Sequence, residues 1–283
     1  MSILSIQFHV SHGYIGNKVA SFALQCLKHK VININTAQFS NHNLYKEFLV
    51  DIFQVCHVKK VINGLSKINI INNQINGFLT GHMGNELISL EALNFVKNIK
   101  NNIPDLIYLC NAKLGNKERG LYVKPELLDF YRNYALKLSD ILVVNHFEAE
   151  ILTMHNINNI NHAKLVAKKL ADMGLSRIII ISGLKINSKT ISTLLFDSNN
   201  FYIQESPLIN FEQKPAGLGN FLSALFLGNY LHTNNILKSF SNTIATINNI
   251  LEINHKTKSK ELEIIQGQEK ISNPETNFVI NKL

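Results

Sequence analysis

Gly217-Leu218-Gly219-Asn220 follows a break at Lys214-Pro215-Ala216 and opens an apolar run, Phe221-Leu222-Ser223-Ala224-Leu225-Phe226-Leu227. Two glycines at a helix start bare its amide N–H groups and let an anion approach them. Gly217 and Gly219 are therefore a candidate anion hole, suited to a phosphate. Asn220 stands beside them. An amide can hydrogen-bond a hydroxyl but cannot take its proton near neutral pH. The turn is equipped to hold an anion and brings no carboxylate of its own.

Such a turn needs a rigid frame, and the rest of the chain supplies an alternating one. Strands are predicted at Ile3–Phe8, Val31–Asn35, Ile75–Leu79, Leu106–Cys110, Ile141–Val144 and Arg177–Ser182. Helices are predicted from Gly16 to about Leu27, over most of Asn43–Leu65, and over about Asn85–Lys100, Pro125–Lys137, Glu148–Thr153 and His162–Asp172. Thr190–Phe196 and Phe201–Glu205 alternate as a hairpin across Asp197-Ser198-Asn199-Asn200, and the remainder reads as helix, with a loop at His255–Ser259. Continuous apolar strands separated by helices predict an α/β fold, a mostly parallel sheet covered on both faces. Ligands of such sheets bind at the carboxyl ends of the strands. With no repeat or composition break, residues 1–283 read as a single domain.

Bulk composition narrows the function. With 46% apolar and 17% charged residues the chain is globular, and no apolar stretch reaches the roughly 20 residues of a membrane span. The start lacks a signal-peptide pattern, and Cys26, Cys56 and Cys110 have no metal-ligand spacing, so they read as free thiols in a reducing cytoplasm. The net charge of +8 is spread over scattered lysines without an Arg-rich, aromatic-interleaved patch, which argues against a nucleic-acid binder.

The strand ends carry polar residues in a specific order. They are Phe8-His9-Val10-Ser11-His12-Gly13-Tyr14-Ile15-Gly16-Asn17, Asn35-Thr36-Ala37-Gln38-Phe39-Ser40-Asn41-His42, Thr80-Gly81-His82-Met83-Gly84, Asn111-Ala112-Lys113-Leu114-Gly115 and Asn145-His146-Phe147-Glu148-Ala149-Glu150. With Pro215, Gly217 and Gly219 behind them, they resemble the pyridoxal kinases, in particular the shorter bacterial ones, of the ribokinase-like superfamily. The likeness runs over the whole chain, and the Asn35–His42 stretch argues against the kinases of sugars or hydroxymethylpyrimidine.

The resemblance implies a three-layer ribokinase-like fold, a homodimer and transfer of the ATP γ-phosphate to the 5′-hydroxymethyl group of pyridoxal. It implies a divalent cation, magnesium, and nothing covalently bound. By position it places Phe8, Thr36, Asn43, Leu44 and His82 on the substrate side. Asn111, Asn145, Glu150 and Ser182 fall on the nucleotide side, followed by Ser206, Pro207, Leu208 and Ile209. Glu150 would meet the cation through water, and Glu148 reads as a helix-start residue.

The sequence departs from the family pattern in the same places. The family's Gly-Xaa-Gly-Asp base is Asn220, a serine at the pyridine ring is Phe8, and a tyrosine is His82, whose imidazole could stand in as base. The family's Cys-Asp-Pro-Val-Met-Gly segment becomes Cys110-Asn111-Ala112-Lys113-Leu114-Gly115, which loses its carboxylate and gains an ammonium. A phosphate lysine aligns with Ser182 and an arginine with Ser206. Of the kept residues, Gly16-Asn17 reads equally as junction geometry, Asn41-His42 as turn chemistry with a solvated imidazole, and His9 and His12 as hydrogen-bonded or exposed. Two functions remain open: a B6 kinase of weak or lost activity, or a pseudokinase that binds a B6 vitamer or nucleotide or serves as a scaffold.

Overall fold

The computed structural model describes residues 1–68, 74–275 and 278–283. In chain order it contains β1 (Ser2–Val10), α1 (Gly16–Cys26), β2 (Lys30–Phe39), β3 (Val50–Ile52), α2 (Val55–Lys67), β4 (Ile75–Thr80) and α3 (Glu86–Asn102). Next come β5 (Ile107–Asn111), β6 (Gly115–Asn116), β7 (Gly120–Leu121), α4 (Pro125–Phe130), β8 (Ile141–Asn145), α5 (His146–Thr153), α6 (Ile160–Asp172) and β9 (Ile178–Leu184). The last elements are β10 (Thr190–Phe196), β11 (Phe201–Pro207), α7 (Leu218–Thr233), α8 (Ile236–Thr257), α9 (Gln268–Ser272) and β12 (Ile280–Lys282). After Phe130 the helix widens into a π turn over Tyr131–Ala135.

All strands but β6 and β7 join one ten-stranded sheet in the order β12-β11-β10-β9-β8-β5-β4-β1-β2-β3. Strands β2, β1, β4, β5, β8 and β9 are parallel, and the antiparallel pairs lie at the two flanks. Alternation along each buried strand feeds two cores. In β9, Ile179 and Ile181 point to one side with α2–α6, while Ile178 and Ile180 point to the other with α1, α7, α8 and α9. The chain order reverses at β1, between β2 and β4, which opens a crevice at the carboxyl end of the strands.

The fold departs from expectation where local pattern is weak. Only Val55–Lys67 of the predicted Asn43–Leu65 helix is helical. Before it the chain returns along β2 as β3, held by Ser40 N–H to the Leu49 carbonyl and Phe53 N–H to the Thr36 carbonyl. Strand β2 itself runs on to Phe39, so Thr36 lies inside a strand. Likewise, β1 runs on to Val10 and β9 reaches Leu184. At the C-terminus, His255–Thr257 are the last turn of α8, not a loop, and the left-handed Lys258 ends the helix. The tail adds β12 on β11, a strand of three residues, too short to leave a period.

Candidate functional site

Helix α7 begins at Gly217, whose φ of +94° only glycine takes readily. A Cβ there would also run into the Tyr14 carbonyl oxygen. The loop after β1 is thus packed directly on the turn that starts α7. Among the helix's first residues, Asn220 is 3% exposed, and its Nδ2 donates to Gln7 Oε1 at 2.8 Å. The amide is committed to the core strand.

Gln7 passes the link inward. Its Nε2 donates to Ser5 Oγ at 3.0 Å, Ser5 Oγ donates to Asn17 Oδ1 at 2.8 Å, and Asn17 Nδ2 donates to Asn35 Oδ1 at 2.7 Å. Asn17 further donates to the Gln7 and Ile34 carbonyls. A Cβ at Gly16, whose φ is +57°, would strike the Phe8 carbonyl oxygen. Gly16 and Asn17 are therefore spent on the junction of β1, β2 and α1. Gln7 was not among the candidate site residues. The signal available was one long polar residue inside the apolar Ile3–Phe8 run.

Phe8 fills the mouth of β1, its ring 4.9 Å from Phe39 and 5.8 Å from His82. Thr36 is fully buried, with its hydroxyl on the His82 carbonyl. Desolvation, and then the nearby Lys113 charge, push the His82 pKa down to about 4. That imidazole is neutral at pH 7 and a weak proton acceptor, which removes the reason for reading it as a stand-in base.

Lys113 reaches the first turn of α7. Its Nζ lies 2.7 Å from where a Cβ of Gly219 would sit. Asn111 Nδ2 points to the Gly219 carbonyl at 3.4 Å. Burial lowers the Lys113 pKa, but Glu148 and Tyr122 outweigh it, so the ammonium stays charged. Glu148 is the third residue of a capping box on α5, as its reading as a helix-start residue requires. Its carboxylate accepts N–H groups of Leu114, Gly115 and Asn145. Burial nevertheless leaves its pKa above the ordinary carboxylate value.

The other nucleotide-side residues scatter. Asn145 ties β8 to the Gly115 carbonyl at 2.8 Å, and the Ser182 hydroxyl points to the Val144 carbonyl at 3.4 Å. The Ser206 hydroxyl is buried between Gln204 and Asn248. Pro207, Leu208 and Ile209 leave β11 at the edge where the parallel strands end, with Leu208 N–H on the Lys189 carbonyl. Glu150 Oε1 accepts Ile157 N–H at 2.7 Å and faces His146. A divalent cation held by the protein does not fit these donors. Asn111 brings no charge, Glu148 is saturated by amides, and an ammonium stands in the segment. Among the described residues no three His, Cys, Asp or Glu side chains gather as a metal site.

On the substrate side, His42 is 2% exposed rather than solvated. Its Nε2 meets Glu261 Oε1 at 2.6 Å, Tyr45 O–H donates to the same oxygen at 2.9 Å, and Tyr14 N–H donates to Glu261 Oε2. His9 pairs with Gln38 and His12 with Tyr45. Asn43 is exposed, whereas the Leu44 carbonyl accepts from Gln213, in the segment leading to α7. Glu261 lies 219 positions from His42, and no local pattern could announce it.

Burial raises the Glu261 pKa, but His42, Tyr45 and the Tyr14 amide outweigh it, and the net shift is downward. A lowered carboxylate pKa stabilises the fold above the unfolded value and loses that contribution as pH falls through the folded one. Glu261→Gln is expected to cost about 1.5–3 kcal/mol at pH 7, the scale of hydrogen bonds to a charged group. In thermal melts the gap to wild type should close as pH drops below the ordinary carboxylate value of 4.5. A gap that stays constant down to acid pH would show that Glu261 acts by shape alone.

The sequence model of the phosphomethylpyrimidine kinase family matches residues 86–265. Pyridoxal kinase PdxY of Histophilus somni is 29% identical, over 100% of this chain and 99% of its own length. The PdxY of Granulibacter bethesdensis is 28% identical, covering 98% of each. Among solved structures, the pyridoxal kinase of Leishmania donovani with ADP and ginkgotoxin superposes with a TM-score of 0.91 at 24% identity, over 100% of this chain and 99% of that one. The Trypanosoma brucei pyridoxal kinase gives 0.87 at 25% identity, over 100% and 99%. The family model begins after the Asn35–His42 stretch, and the two curated relatives above, which match over that stretch as well, are pyridoxal kinases. The chain belongs to the phosphomethylpyrimidine kinase family, resembles pyridoxal kinases over its whole length and has the ribokinase-like α/β fold.

Proposed function

We propose that this chain binds ATP and a B6 vitamer where the parallel strands end, and that it transfers phosphate slowly or not at all. The observation that carries this reading is Asn220, buried at the start of α7 with its amide turned to Gln7. A residue in that state cannot accept the proton of a substrate hydroxyl. Glycines 217 and 219 keep the helix amides open to phosphate. The L. donovani kinase is known with ADP together with pyridoxine or pyridoxamine, which supports the two ligand classes. The pseudokinase reading draws on Phe8, whose ring occupies the mouth of β1.

The protein works as one domain over residues 1–283, because a single sheet runs from Ser2 to Lys282. It acts in the cytoplasm, as its free Cys26, Cys56 and Cys110 suit. It pairs as a homodimer, a state supported by the exposed Phe48, Leu49, Val50 and Ile52 at the β3 edge. Among the described residues no helix is long and apolar enough to cross a membrane.

The test is direct. Purified protein with pyridoxal and Mg-ATP is expected to form phosphorylated product at least about 100-fold more slowly than the H. somni PdxY assayed beside it, the lower bound for losing a general base. Equal turnover would sink the reading. Thermal shifts with ATP, ADP, pyridoxal or pyridoxamine would distinguish a binding protein from a scaffold, which should show none.

A further inference from the structure

We infer that Lys113 is the phosphate-binding cation of this site, so that the site takes a nucleotide polyphosphate without a divalent cation held by the protein. This deepens the proposed function and rests on its nucleotide reading. Lys113 brings its ammonium over the first turn of α7, 2.7 Å from the Cβ position of Gly219. Among the described residues no hydrogen bond or ion pair ends on that ammonium. Its counter-charge is Glu148, whose oxygens already serve the amides of Leu114, Gly115 and Asn145. A helix N-terminus is the positive end of its dipole and adds to the positive charge that Glu148, already committed to amides, has to balance.

Two further lysines add positive charge on neighbouring segments. Lys185 is the first residue past β9, which runs on beyond Ser182 to Leu184. Lys214 comes just before Pro215 and the α7 turn. Lys214 is exposed as a whole, yet desolvation and then repulsion from Lys185 pull its pKa below the ordinary lysine value. Glu118 opposes that shift, and Lys113 adds to it. Positive charge thus gathers near the start of α7, where Lys113 lies over Gly219 and Lys214 precedes the turn, and the polyphosphate of a nucleotide would offset it. The charge balance fits as well. A carboxylate holding a divalent cation leaves one net positive charge, and the neutral Asn111 with the ammonium of Lys113 leaves the same.

The experiment is calorimetric titration of the full chain with ATP, in EDTA and in magnesium, for wild type, Lys113→Met and Lys113→Arg. Folding is verified by circular dichroism. Wild type is expected to bind within about threefold in the two buffers. Lys113→Met should weaken binding in EDTA by about tenfold or more, the scale of one charged contact. Lys113→Arg, which keeps the charge and guards against loss of the Glu148 counter-ion, should stay within about threefold of wild type. Inorganic tripolyphosphate should compete with ATP on wild type. Binding of ATP that needs magnesium, or that ignores the Met substitution, overturns the inference and leaves the proposed function standing. No ATP binding by folded wild type in either buffer overturns both.

Discussion

Gly217→Ala should lower stability by about 3 kcal/mol, from a left-handed conformation and a backbone collision that alanine cannot avoid. At roughly 2–4 °C per kcal/mol for a chain approaching this size, the melting temperature should fall by about 6–12 °C. The collision is with the Tyr14 carbonyl, and the amide of the same Tyr14 donates to Glu261. Relief of the clash therefore disturbs the His42 and Tyr45 contacts as well. Gly219→Ala, two positions on, should behave in the opposite way. Its Cβ meets only the mobile end of Lys113, and alanine favours a helix by about 1 kcal/mol over glycine. Melting should be unchanged or higher, while ATP affinity drops by about tenfold because the ammonium is displaced. Melts and ATP titrations on both variants decide the point. If Gly217→Ala melts with wild type, the left-handed start of α7 is not the support described.

Asn220→Asp is expected to leave turnover below about a tenth of that of the H. somni PdxY, even though it restores a carboxylate. The new group would sit at a helix N-terminus, one residue from Gly219, where the Lys113 ammonium lies. Both features stabilise the ionised form and lower its pKa, and a low pKa makes a poor proton acceptor. The carboxylate would also face Gln7 Oε1, which now accepts from Asn220, so the Gln7 amide must turn over and give up its bond to Ser5. Phe8 would still cap the mouth of β1. Turnover of pyridoxal by the single variant is the measurement. Rescue to the full rate of the relative would mean that Lys113 and Phe8 impose no barrier.

The sheet and both helical layers were legible because buried strands and amphipathic helices leave a period of their own. Ile178–Ile181 and the Asn85 start of α3 are examples. The glycines of the α7 turn were legible for the same reason, since a left-handed start leaves a residue type behind. Pairings were not. Nothing around Gln7 announced Asn220 as its partner 213 positions on, and Glu261 had no local mark at all. Lys113 was visible as a new charge, but only the fold shows it above Gly219. The length of β9 was misjudged by a few residues, and with it the position of Lys185 at the strand end.

Those distant pairings also govern when the site comes into being. Asn220 and Gln7 are 213 positions apart, Glu261 and His42 219, and Glu261 and Tyr14 247. Contacts of such separation pay a large loop-closure entropy and form after local structure. During synthesis β1, β2 and β4 leave the ribosome long before α7 and Glu261 exist. A nascent chain can pair these strands while its pocket still lacks a floor, and the segment from Ser40 to Leu49 has nothing to clasp. Maturation of the pocket is thus a late event set by the chain's last quarter.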